Sequence, residues 1–160
     1  MYLRAMTREE KIIFKDKLKQ AARVIIEQRI VSAQQLMADA QQAANSEEKS
    51  SAGDKYETAR AMGQLEKEMH ARQLAEHLKD LGTLHAVNTY TLYEEATTGA
   101  FIQCTNIAFF IAAGLGKQSI DGQTILFLSP QAPLAKVLQH KKVNDAIVFN
   151  SVPTTIVALF

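Results

Sequence analysis

Apolar residues recur at helical spacing through the first half of the chain. Leu18, Ala22, Ile25, Ser32, Leu36 and Ala43 follow alternating steps of four and three, with Arg29 and Asp39 as polar members of the series. The stripe is thin, and Lys15, Lys19, Arg23, Glu27 and Gln34 fall on the opposite faces. Such a helix has apolar surface for one partner helix, not for a globular core. Residues 45–54, rich in Ser, Glu and Asn and closing on Gly53-Asp54, break the pattern with turn formers. Met62, Leu65, Met69, Leu74, Leu78 and Leu81 then resume a stripe as far as about Leu84. Two helices of similar length around one polar break predict an antiparallel coiled-coil hairpin. The second helix, roughly 45 Å long at 1.5 Å per residue, is longer than a small domain covers. The loop is therefore expected to reach into solvent and to carry function at its tip or along its flank.

From residue 86 onward the composition turns to β-branched and aromatic residues. All three prolines (Pro130, Pro133, Pro153) and the turn signals Thr98-Gly99 and Asp121-Gly122 lie here. The pattern predicts strands over 86–94, 101–112, 123–128, 146–149 and 154–159. Between the third and fourth, Ser129 can cap a short helix and Pro130 can occupy its first turn, with Leu134, Val137 and Leu138 packed on the sheet. The expected architecture is α+β: a hairpin over residues 1–84 with an acidic tip near 45–57, then a small antiparallel β-sheet domain with one short helix over 85–160.

Charge and composition narrow the function. Lys and Arg total 18 against 17 acidic residues, a net charge of +1, so no global field draws the chain to nucleic acid. The basic series Lys11, Lys15, Lys17, Lys19 and Arg23 reads as a solvated helix face. A single cysteine, Cys104, lies in an apolar run and fits a reducing compartment. That run is shorter than the ~20 residues a membrane span needs, and no secretory leader is visible. A cytoplasmic protein without membrane contact is expected. His70, His77, His85 and His140 are scattered and compose no metal set.

The candidate chemistry sits at the hairpin turn, where Glu47, Glu48, Asp54 and Glu57 cluster. Asp54 and Glu57, three apart at the start of the second helix, can point the same way. They can share a divalent cation whose other ligands come from a partner. The same Asp-x-x-Glu spacing is also a capping box, with Asp54 accepting from the Glu57 amide. Spacing alone leaves both readings open, the cap being the commoner.

Residues 53–59, Gly-Asp-Lys-Tyr-Glu-Thr-Ala, resemble the tip motif of the bacterial Gre transcript-cleavage factors, Gly-Asp-Leu-Ser-Glu-Asn-Ala, matching at the glycine, both acids and the alanine. Downstream, Ser129-Pro-Gln-Ala-Pro-Leu-Ala-Lys136 and then Lys141-Lys-Val-Asn-Asp145 are similar to that family's C-terminal signature. The resemblance implies an FKBP-like C-terminal domain that docks at the rim of the RNA polymerase secondary channel, with partner-binding residues at Ser129, Pro130, Pro133, Leu134, Lys141 and Lys142. It also implies that Asp54 and Glu57 help hold a Mg²⁺ shared with the polymerase, the chain owning no cofactor. The polymerase would then hydrolyse backtracked RNA, two-metal chemistry to which the factor donates ligands in trans. On this reading the chain is an accessory factor, not an enzyme. It is expected to be a monomer that meets nascent RNA and DNA only within the elongation complex.

Departures from the family pattern bear on the chemistry. Lys55 and Tyr56 stand between the acids where the family has Leu and Ser, and Thr58 follows them where it has Asn. Ala135 and Asn144 replace glycines in the downstream signature. Lys55 places a positive charge beside the proposed cation site, which weakens metal binding. A regulator that enters the channel without promoting cleavage is one alternative; a coiled-coil adaptor or dimerisation protein is another.

Overall fold

The computed structural model describes the backbone of residues 5–50 and 54–160, and the side chains of residues 5–46 and 57–160. Two long helices, α1 (Arg8–Ser50) and α2 (Asp54–His85), precede β1 (Phe101–Cys104), β2 (Ala108–Ile111), β3 (Gly116–Ile120), β4 (Gln123–Leu128), α3 (Pro133–Leu138), β5 (Ala146–Phe149) and β6 (Val152–Leu159). This is the α+β order expected: a helical hairpin, then a mostly antiparallel sheet with one short helix. The chain divides into two compact units, one formed by Met1–Val24 with Asp80–Phe160, the other by Ile25–Lys79.

The first unit is built on a six-stranded sheet of order β3-β4-β2-β1-β6-β5. Neighbouring strands are antiparallel except β2 and β4, which run parallel in the register Ala108↔Ile125 to Ile111↔Leu128. One face holds the core of Ile102, Cys104, Phe109, Ile111, Ile147 and Ile156 under Ala135 and Leu138 of α3. On the other face an aromatic cluster joins the sheet to α1. Phe14 meets Phe101 edge-on at 4.9 Å between centroids, and Phe160 lies 5.2 Å from Phe101. Thr7 caps α1 with a reciprocal pair, in which the Glu10 amide donates to Thr7 Oγ1 (3.1 Å) and the Thr7 amide to Glu10 Oε1 (3.2 Å).

Several expectations for this unit are corrected. No strand forms over 86–94. The carbonyls of that stretch accept from α1 side chains instead of from a ladder: Lys19 Nζ donates to the Val87 oxygen at 2.7 Å, Lys15 Nζ to that of Thr91 at 2.9 Å, and Arg8 to that of Tyr90 at 3.3 Å. Thr89 Oγ1 also hydrogen-bonds Asp16 Oδ1. Lys15 is accordingly fully buried, not on a solvated face. The stretch 101–112 is two strands, β1 and β2, joined by a turn. The polar segment Gly116–Ile120, unassigned from sequence, is edge strand β3 paired to β4. Within α3 the buried residues are Ala135 and Leu138, while Val137 is 54% exposed.

In the second unit, residues 25–50 and 54–79 form two helical arms with the same number of residues, each about 39 Å long. Helix α1 continues to Ser50 through residues expected to turn, because Asn45, Ser46, Glu47 and Glu48 form helix adequately when the preceding turns propagate it. The arms run antiparallel. A Cβ placed on Gly63 would lie 3.2 Å from Ala44 Cβ, and Lys67 Nζ donates to Gln41 Oε1 at 2.8 Å. The seam between them differs from the expected one by a residue. Ala33 and Ala40 are buried and Met37 half-buried, whereas Ser32, Leu36 and Ala43 are exposed. On α2 the inward positions are Gly63, Lys67, His70, Leu74 and His77. The small residues Ala40, Ala44 and Gly63 let the two backbones approach closely, which bulkier Leu36 and Met62 would prevent.

Candidate functional site

At the closed end of the second unit, Asp54 and Glu57 both fall in the first turn of α2. The aligned amides of that turn carry partial positive charge, so acidic side chains there stabilise the helix by about 0.3–1 kcal/mol each. Glu57 is exposed. The Asp54 side chain, and with it the capping reading of the Asp54–Glu57 pair, lies outside the described residues, as do the side chains of Glu47, Glu48, Lys55 and Tyr56. Among the described residues no group of three His, Cys, Asp or Glu side chains is placed to hold a metal ion. Two carboxylates on one helical turn supply part of the roughly six oxygens that Mg²⁺ takes.

The six candidate partner-binding residues of the first unit lie at the two ends of α3. Before it, Ser129 and Pro130 open a turn in which the Gln131 amide donates to Ser129 Oγ at 3.1 Å and the Ala132 amide to the Ser129 carbonyl at 3.0 Å. Ser129 therefore caps this turn; Ala132 occupies the cap position of α3 without a side-chain bond, and Pro133, not Pro130, starts the helix. Pro133 is exposed and Leu134 half-buried against the core. After the helix, His140 adopts φ 67° and its ring nitrogen Nδ1 lies 2.9 Å from Glu95 Oε1. Lys141 and Lys142 follow in a turn locked by Asp145, whose Oδ2 accepts from the Lys142 amide at 2.8 Å. The Lys142 side chain is exposed and that of Lys141 partly so.

The two positions at which the downstream segment departs from the signature it resembles, Ala135 and Asn144, have well-defined surroundings. Asn144 has φ 79°, a left-handed conformation that Asn tolerates better than most residues. Ala135 places its methyl in the core.

Sequence reasoning missed the outward flank of the hairpin. Met62 is 66% exposed, Leu65 65% and Met69 42%, although their spacing predicts a seam. No signal in these residues themselves distinguishes the two placements; the signal was the neighbouring series of Ala33, Ala40, Ala44 and Gly63.

No protein-family model matches the sequence, and no curated protein matches it. Among solved structures the chain is similar to that of the transcription factor Gfh1, at 14% identity over 87% of this chain and 93% of that one, with a TM-score of 0.36.

Proposed function

We propose that this chain is an accessory factor of RNA polymerase that presents the first turn of α2 to the polymerase active site through its secondary channel. The observation that carries the reading is the placement of Asp54 and Glu57. They share the first turn of α2, next to the break between two antiparallel arms of equal length, within a segment that resembles the Gre tip motif. The downstream residues of the same resemblance, Ser129, Pro130, Pro133, Leu134, Lys141 and Lys142, flank α3 and offer a docking surface of mixed apolar and basic character. In the complex, Asp54 and Glu57 would donate carboxylate oxygens to a Mg²⁺ shared with the polymerase and orient a water toward the 3′ RNA linkage. That ion supplies Lewis-acid chemistry. The chain's own contribution is two acidic residues three apart and the helix that carries them.

The test is RNA shortening in stalled, backtracked elongation complexes. Wild-type protein is expected to accelerate cleavage above the polymerase's own rate, and Asp54→Asn to abolish the gain while leaving polymerase binding intact. Bound factor with no acceleration would reject the cleavage reading. Lys55, set between the two acids, favours a second reading, a channel-binding regulator whose effects on initiation or pausing persist in the Asp54→Ala, Glu57→Ala protein. Failure to recover polymerase subunits with the tagged chain would reject both.

A further inference from the structure

We infer that the groove between the two helical arms at Arg29 and His77 is a binding site for a phosphate oxyanion, either the free ion or a terminal monoester. This goes beyond the polymerase reading and does not depend on it.

Ile25, Arg29, Ser32 and Leu36 follow steps of four, three and four along α1, and Gln73 and His77 are four apart on α2. Each set therefore occupies one face of its helix. The two faces border one groove of about 280 Å³, and no acidic side chain lines it. Its polar side chains offer donors instead: the guanidinium of Arg29, the imidazole of His77, the hydroxyl of Ser32 and the amides of Gln28 and Gln73. The acceptor end of the Gln73 amide is already engaged, because its Oε1 lies 3.2 Å from His70 Nδ1. Its NH2 group is left to donate.

Arg29 is the decisive residue. It and His77 are partly buried, and among the described residues neither makes a hydrogen bond or an ion pair. Other helix cations are satisfied: Lys15, Lys17, Lys19 and Lys67 each donate to an oxygen. A guanidinium drawn partly out of water without a counterion costs free energy, and an anion in the groove removes that cost. The absence of acidic lining residues excludes a cation as the occupant. A groove slightly smaller than the roughly 300 Å³ at which small-molecule clefts begin takes a compact group. Phosphate suits it better than carboxylate does. Three terminal oxygens can share five donor groups, and the planar fork of Arg29 can meet two of those oxygens at once.

Titration of the full chain with inorganic phosphate at neutral pH and constant ionic strength, followed by amide NMR, tests the site. Saturable shifts are expected at residues 25–36 and 73–77, with one dissociation constant in the millimolar range or tighter. Arg29→Gln should raise that constant at least about tenfold, and His77→Gln several-fold. Arg60→Gln, which removes a cation from a separate cleft lined by Gln41, Asn45 and Lys67, should leave it unchanged. Glycerol phosphate distinguishes the two sources: tighter binding than inorganic phosphate assigns the site to a monoester, and equal or weaker binding to the free ion. Far-UV circular dichroism verifies that each variant keeps its helices. The inference is overturned if the shifts do not saturate, if acetate binds as well as phosphate, or if Arg29→Gln and Arg60→Gln weaken binding alike.

Discussion

Lys15 offers a sharp test of how the first unit is held together. Its side chain is fully buried, with Nζ donating to the Thr91 carbonyl and lying 4.7 Å from the centre of the Tyr93 ring. Burial lowers its pKa from 10.5 to about 8. Below pH 8 the folded protein therefore holds a poorly solvated cation that the unfolded chain would hydrate, which costs stability. Between pH 8 and 10.5 the folded state has released the proton and the unfolded state has not, so stability rises with pH across this window. A shift of this size corresponds to about 3 kcal/mol in total. Lys15→Met keeps the apolar stem and removes the charge, while giving up the hydrogen bond that Lys15 Nζ donates to the Thr91 carbonyl, which offsets part of the gain. The variant should be about 1–3 kcal/mol more stable than wild type at pH 7, with the gap closing by pH 10.5. Urea unfolding followed by circular dichroism at several pH values measures both curves, and titrations common to the two proteins cancel in the difference. Parallel curves between pH 8 and 10 would refute the argument, as would a variant clearly less stable than wild type at pH 7.

Other consequences are equally accessible. Gly63→Leu should push the helical arms apart at Ala44 and cost about 1–3 kcal/mol, seen as a lower melting temperature, while Leu65→Ala on the exposed flank should change stability by less than about 0.5 kcal/mol. Phe101→Ala removes the ring shared by Phe14 and Phe160 and should destabilise the first unit by about 3–5 kcal/mol in denaturant titration. Cys104, buried and with its pKa raised to about 11 by burial, should resist thiol reagents at pH 8 until the protein is unfolded. Asn144→Val forces a β-branched residue into a left-handed conformation and should lower stability by about 1–2 kcal/mol, whereas Asn144→Gly should be tolerated.

The division into a helical half and a sheet half was legible because it rests on residue type, with helix formers before residue 86 and β-branched and aromatic residues after it. The phase of the hairpin seam was not. Leu36 and Met37 are both apolar neighbours separated by about 100° on the helix, and the choice between them was made by the close approach of Ala44 and Gly63. Residues 86–94 have strand composition, yet their carbonyls are taken by Lys15, Lys19 and Arg8, roughly seventy to eighty positions away, which no local pattern reveals. Lys15 itself reads as one more surface lysine until its acceptor is known. Strand β3 escaped because Gly116-Lys-Gln-Ser-Ile120 owes its conformation to pairing with β4, not to its own preference. At the candidate site, the placement of Asp54 and Glu57 at the start of a helix was readable from the turn formers before them. The start of α3 was misplaced by three residues because Ser129 spends its hydroxyl on the preceding turn.

The aromatic cluster of Phe14, Phe101 and Phe160 sets a condition on biosynthesis. Phe160 is synthesised nearly 150 residues after Phe14, a delay on the order of 10 s at ordinary translation rates. During that interval α1 has an apolar face with nothing to cover it, so the nascent chain is exposed to misassociation at its leading segment. A chain cut short before β6 would lack the Phe160 ring and leave Phe14 and Phe101 without their third partner, so the docking of α1 waits on the strand that pairs last in chain order.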